Sequence, residues 1–184
     1  IVWLAEAGQK EQVVSMVQTL SDFFRASLNS GKDIVSLEGE CRHITSYLQI
    51  QQVRYQDILT YDVDIPEEIA NCKIPKITLQ PLVENALYHG IKNKRGKGRI
   101  VVTGRREKDK CVIRVEDNGI GMTKERLNQV RGGLTTKIED SNDFYGLYNV
   151  NERIRLKFGE EYGLSIDSVL QEGTCVEVWL PWES

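Results

Sequence analysis

No apolar run in this 184-residue sequence approaches the roughly 18 residues that a bilayer-spanning helix requires. No segment has the make-up of a secretory signal either. Cysteine is sparse: Cys41, Cys72, Cys111 and Cys175 are scattered without paired metal-ligand spacing. Reduced structural thiols and a cytoplasmic setting are therefore expected. Positive charge is not in excess, because 24 Lys and Arg face 27 Asp and Glu, giving a net charge of −3. This excludes the basic footprint of non-specific nucleic-acid binding. Neither Gly-Lys-Ser/Thr nor G-x-G-x-x-G occurs, which excludes a P-loop and a Rossmann fingerprint. There is no internal repeat and no low-complexity stretch. The first residue is Ile1 rather than Met, so a piece of a longer protein is expected.

What is present is a globular composition, with 40% hydrophobic residues, 28% charged residues and 4 prolines. A chain of this length buries roughly 70% of its unfolded surface, enough to stand without disulfides. Residues 10–28 place Val13, Val17, Leu20, Phe24 and Leu28 in one stripe, the pattern of an amphipathic helix stopped by Asn29-Ser30-Gly31. Ser36 is placed to cap a second helix, whose stripe is Leu37, Cys41, Ile44, Leu48, Gln51 and Tyr55. That near-heptad seam fits packing between chains and an ordinary hairpin within one chain equally well.

After Asp57 the pattern changes. ILTYDVDIP reads as a strand closed by Pro66, and a helix is expected from Pro75 to about Ile91 with Pro81 in or near its first turn. Residues 99–106 and 111–116 read as paired strands, 124–130 as a short helix and 146–158 as a longer one. GLSIDSVL and TCVEVWLP form a closing hairpin around Gln171-Glu172-Gly173. The expected fold class is α+β: a helical segment over 1–57, then a two-layer α/β sandwich over 58–184 with helices on one face of a mixed sheet.

Three stretches carry chemistry. On a wheel of 100° per residue, Leu79, Leu82, Val83, Ala86 and Leu87 form one arc, and Gln80, Glu84, Asn85, Tyr88, His89 and Lys92 the other. A merely solvated arc is usually rich in Glu, Lys and Arg; Asn, Tyr and His together suggest a ligand face. In EDNGIGM, Asp117 ends a strand, and the alternating Gly119 and Gly121 let a backbone approach a flat or anionic ligand. A strand-end carboxylate can accept a hydrogen bond from an exocyclic amine, whereas an ordinary β-turn with an Asx cap gives the same short pattern. In YGLYNVNERI, Gly146 opens a helix whose free N–H groups suit a phosphate, although a plain loop-to-helix junction looks alike. Gly173-Thr174 starts the last strand, where the hydroxyl can reach a bound base.

The ordered set ENALYHG, DNGIGM, YGLYNVNERI and GTCVEVWLP resembles the Bergerat-fold ATPases: gyrase, the chaperone ATPases, MutL-type repair proteins and histidine kinases. LQPLVENALYHG and SYLQIQQVRYQD resemble the LytS/YesM-type bacterial sensor histidine kinases. The resemblance implies ATP and Mg²⁺ as cofactors, with Asn85 ligating the metal and Asp117 accepting from the adenine amine. It further implies Gly119, Gly121 and Met122 at the base, and His89 and Lys92 on the phosphate side. Gly146 and Leu147 would cap the phosphates, and Thr174 would support Asp117. Residues 123–144 would form a lid hinged at Gly132-Gly133. A response regulator is the implied partner and a homodimer the implied state of the full-length protein, the cytoplasmic portion of a membrane-bound sensor, with no direct membrane contact from this segment.

Departures from the family pattern sharpen these expectations. Where ATP-hydrolysing members carry a water-activating Glu, four residues before the metal-binding Asn, this chain has Pro81. Glu84 is then the candidate catalytic carboxylate, able to bind the metal through water or to act as a base. Tyr88 stands where Lys is frequent, and residues 142–145 replace lid glycines. The Asn-Pro-His-Phe acceptor box is absent, and His43 is expected as a solvated helix histidine. Two other readings stay open: a degenerate nucleotide-binding or dimerisation scaffold without kinase activity, and an ATPase of the same fold.

Overall fold

The structure, a computed structural model, describes residues 1–28, 33–55, 58–136 and 145–182. It opens with a short helix α1 (Val2–Glu6) and the long helix α2 (Lys10–Leu28). A strand β1 (Ile34–Ser36) leads directly into helix α3 (Leu37–Arg54). Ser36 caps α3 as its sequence position predicts, its hydroxyl accepting the Gly39 N–H at 3.2 Å. Strand β2 (Leu59–Asp64) follows, then β3 (Lys73–Pro75) and helix α4 (Leu79–Asn85), which continues as a π-helical turn over Ala86–Ile91. Strands β4 (Gly98–Glu107) and β5 (Lys110–Asp117), helices α5 (Lys124–Gly133) and α6 (Tyr145–Phe158), and the hairpin of β6 (Gly163–Val169) and β7 (Gly173–Pro181) complete the order.

The main sheet has the order β2-β4-β5-β7-β6. Only the β2–β4 pairing is parallel, and it spans the crossover that contains α4. The other pairings are antiparallel, so the expected mixed sheet is found. Its inner face carries Ile100, Val102, Ile113, Val115, Val176 and Val178, all buried. The outer face carries charges such as Arg105 and Glu177, paired at 2.9 Å. Leu37, Cys41, Ile44 and Leu48 of α3 belong to the same buried cluster as the sheet, so the near-heptad seam is filled within the chain.

Three expectations need correction. The helix predicted from Pro75 begins at Leu79, because residues 73–75 pair with β1 in a second, two-stranded sheet. On α2, Val13, Met16, Leu20 and Phe23 are half-buried while Val17 and Phe24 are exposed. Two apolar stripes overlap on that helix, and periodicity could not choose between them. His43 is not solvated: it is 3% exposed and stacks on Phe23, with ring centroids 4.7 Å apart.

The start of α4 is fixed from α3. Glu40, 2% exposed, accepts the N–H groups of Ile77 and Thr78 at 2.7 and 2.9 Å and that of Leu79 at 3.1 Å. A carboxylate on otherwise unpaired N-terminal donors satisfies them and complements the helix dipole. The donors lie beside Ile77, which holds a left-handed φ of 58°.

Candidate nucleotide site

A cavity of about 360 Å³ lies at the carboxyl end of β5, within the size range of ligand sites. One wall is α4 with its π-helical turn. Leu82, Asn85, Ala86, His89, Gly90 and Asn93 all face the cavity. The π turn lengthens the repeat, with the Lys92 N–H donating to Leu87 O at 2.8 Å, and π turns of this kind recur at functional sites. Lys92 is exposed and points elsewhere, its ammonium 5.7 Å from the centre of the Tyr88 ring. Glu84 does not line the cavity; its Oε1 accepts from Gln80 Nε2 at 2.8 Å.

The floor is Asp117, 6% exposed. Its Oδ1 accepts the Gly119 N–H at 2.7 Å. Burial pushes the carboxyl up to about 6, against the opposing pull of the Gly119 and Thr174 backbone N–H groups; the Glu116 charge raises it further and Lys94 lowers it. Strand register puts Thr174 opposite Asp117 and Ser168 opposite Thr174, so the three form one row. Ser168 Oγ donates to Gly173 O at 2.8 Å and lies 2.9 Å from Thr174 Oγ1. With the serine proton committed to the carbonyl, Thr174 must donate to Ser168, which leaves the Thr174 oxygen as an acceptor toward the cavity.

The glycine loop is stitched into place on both sides. The Ile120 N–H donates to Gly90 O at 3.2 Å, and the Gln171 N–H donates to Ile120 O at 2.7 Å. Gly119 is buried against the Gly90 backbone, and a Cβ there would stand 2.5 Å from Asp117 Oδ1. Its close approach is therefore to the protein's own helix, and it lies behind the cavity lining rather than in it. Gly121 does line the cavity, with φ +59 and Val169 O against the place a side chain would occupy. Lys94 Nζ donates to Asn118 O at 2.5 Å, and Asn118 Oδ1 accepts the Arg99 N–H at 2.7 Å.

The remaining walls are apolar: Val115, Ile120, Met122, Val130, Leu147, Ile166, Leu170 and Val176. The fold thus brings together Asn85, His89, Asp117, Gly121, Met122, Leu147 and Thr174, and leaves Glu84, Lys92, Gly119 and Gly146 outside the lining. Gly146 is exposed at the start of α6, near Pro81. Gly132-Gly133, expected as a hinge, close the last turns of α5. Residues 137–144 of the expected lid lie outside the described residues, including Asn142, Asp143 and Phe144. Asn93, Thr123 and Arg126 also line the cavity and were not foreseen; Asn93 was within reach of helical spacing, four residues after His89. Among the described residues no group of three His, Cys, Asp or Glu side chains could hold a metal ion. Asn85 lines the cavity, and its amide oxygen is a hard donor of the kind that a divalent cation accepts.

An apolar slot closed by one buried carboxylate suits a flat ring bearing an amine. The model of histidine kinase-, DNA gyrase B- and HSP90-like ATPases matches residues 75–184. The chain belongs to this ATPase family. A histidine kinase model matches residues 1–59. The chain is 37% identical over 182 residues to the sensor histidine kinase YesM of Bacillus subtilis, covering 98% of this chain and 30% of that protein. It is 34% identical to BtsS of Escherichia coli, covering 94% and 28%, and 34% identical to LytS of Staphylococcus saprophyticus, covering 95% and 29%. The chain therefore spans less than a third of these curated relatives. Among solved structures, the histidine kinase domain of the Erythrobacter litoralis EL346 blue-light activated kinase matches with TM-score 0.58 at 14% identity, over 90% of this chain and 72% of that one. The catalytic domain of histidine kinase ThkA matches with TM-score 0.59 at 11% identity, over 80% and 94%. At such identities these likenesses show the shared ATPase fold. The sequence relatives agree with the resemblance to sensor kinases of the LytS/YesM type.

Proposed function

We propose that this chain is the ATP-binding catalytic part of a two-component sensor histidine kinase, with residues 58–184 as the catalytic domain and 1–57 as a dimerisation and linker region. In the longer protein it works as a homodimer on the cytoplasmic side of a membrane-bound sensor. The observation that carries the reading is the buried carboxylate of Asp117 at the floor of an apolar cavity, next to Thr174, with Asn85 in the same lining.

Asp117 accepts the exocyclic amine of adenine, a charge-assisted bond that selects against a ring carrying a carbonyl there. Gly121 and Met122 flank the base, and Thr174 accepts from the base or from a water. Asn85 holds the magnesium ion, which when bound neutralises phosphate charge. His89 lies on the phosphate side and Leu147 walls the cavity, Gly119 seats the loop from behind, and Lys92 and Gly146 act from outside the lining. Glu84 orients or deprotonates the incoming acceptor. The γ-phosphoryl passes to a histidine outside this chain, a P–N bond forming as the P–O bond to ADP breaks, and then to a response-regulator aspartate. Such transfer needs positioning and electrostatics more than covalent help from the protein. Pro81 at the position of the hydrolytic Glu supports a kinase over an ATPase.

Calorimetric titration of Mg·ATP into the chain and into Asp117→Asn tests the reading. Binding that weakens about tenfold, or about 1.4 kcal/mol, is expected for the variant. A parent chain that takes up no nucleotide would sink the proposal.

A further inference from the structure

Helix α3 carries two buried stripes. One is the apolar seam already described. The other is polar, with Glu40, His43 and Tyr47 at spacings of three and four residues and exposures of 2%, 3% and 7%. Each member meets the helix that carries Asn85 at a different level. Glu40 holds the N-terminus of α4. His43 Nε2 lies 2.7 Å from Gln80 Oε1, and Gln80 Nε2 donates to Glu84 Oε1 at 2.8 Å. Burial, and after it the Tyr88 side chain on the π turn, raises the pKa of the Tyr47 hydroxyl.

The direction of the middle chain follows from its ends. A carboxylate accepts only, so the Gln80 amide nitrogen must face Glu84 and its oxygen must face His43. His43 therefore donates from Nε2. Its Nδ1 is buried without a hydrogen-bond partner among the described residues, and the ring stacks on Phe23 of α2. Apolar side chains would fill such a contact without leaving a polar atom unsatisfied. The imidazole is thus a poor choice for packing alone, and a good one for fixing an amide.

We propose that His43 is a positioning residue: through Gln80 it fixes the Glu84 carboxylate beside Asn85, so that packing of α2 on α3 and occupancy of the nucleotide cavity influence each other. The proposal rests on the nucleotide reading of the cavity. Coupling of this kind is reciprocal, so it can be read from either end.

The sequence contains 2 histidines, so the Cε1–Hε1 NMR spectrum has two imidazole signals, one reporting the cavity rim (His89) and one the relay (His43). Titration with a magnesium complex of a non-hydrolysable ATP analogue should move both, saturating together. In Gln80→Leu the His89 signal should still respond and the His43 response should vanish. His43→Gln, whose amide nitrogen can replace Nε2 as donor, should bind the analogue within about twofold of the parent, while His43→Leu should bind about fivefold or more weakly. A silent His43 signal while His89 saturates would overturn the relay. So would equal affinities for the two His43 variants, a comparison that still decides the matter if Gln80→Leu fails to fold. If His89 is silent too and no heat of binding appears, it is the nucleotide reading that has failed.

Discussion

Glu40 and Asp117 are both carboxylates withdrawn from water, and they serve opposite ends. Glu40 is enclosed by backbone, its two oxygens taken by three N–H groups at the start of α4. Arg153 stands nearby, Nη2 donating to Ile77 O at 2.9 Å. Asp117 is almost as buried but opens onto a cavity, and its ionised form is held too weakly to offset desolvation. A buried charge that is fully satisfied builds structure, whereas one left short of donors is a site waiting for a ligand that brings them.

The largest effect should come from breaking the satisfied member. Glu40→Ala orphans three N–H groups at once and should cost about 3–5 kcal/mol in urea unfolding. A loss under about 1 kcal/mol would mean that the contrast between the two carboxylates is not real. Next comes the seat of Asp117. Gly119→Ala drives a methyl into the Gly90 backbone and should destabilise the chain by about 1–3 kcal/mol while also weakening nucleotide binding. Unchanged calorimetric affinity would show that the contact between the two glycines does not set the carboxylate's position.

The smallest effect is in pH. With a folded-state value near 6, the fraction of Asp117 ionised rises about tenfold between pH 5 and pH 7, and affinity for adenosine, which has no phosphates to titrate, should rise with it. Asp117→Asn should stay flat over that window; a parallel rise in the variant would assign the effect to another group. Stability runs the other way. Because the folded value lies above the ordinary 3.8, Asp117 favours folding most below about 3.8, and that contribution is lost as pH climbs through about 6. Unfolding midpoints of parent and variant across this range check the sign.

Much of the site was readable along the chain because it comes in short local motifs. Asn85 and His89 share one helix face, and Asp117 with Gly121 share one turn, so spacing alone placed them together. Ser168 was invisible because it reaches Thr174 through strand register, which no local pattern encodes. The true neighbour of Gly119 was missed for the same reason, since Gly90 lies 29 positions back and meets it only when the glycine loop folds onto the π turn. Gln80 was readable as a polar helix position but not as a link between His43 and Glu84.

The sequence by itself determined helices α2, α3, α5 and α6, the five strands of the main sheet with their closing hairpin, the Ser36 cap and the order of the nucleotide motifs. Each depends on residues within one or two turns of one another, where periodicity and turn chemistry act directly. Tertiary structure alone decided that β1 pairs with β3, that one stripe of α2 rather than the other is covered, and that Glu40, His43 and Tyr47 are buried. Those outcomes depend on which surfaces meet after collapse, and a polar side chain looks the same in sequence whether it ends in water or against the backbone of a helix 37 residues away.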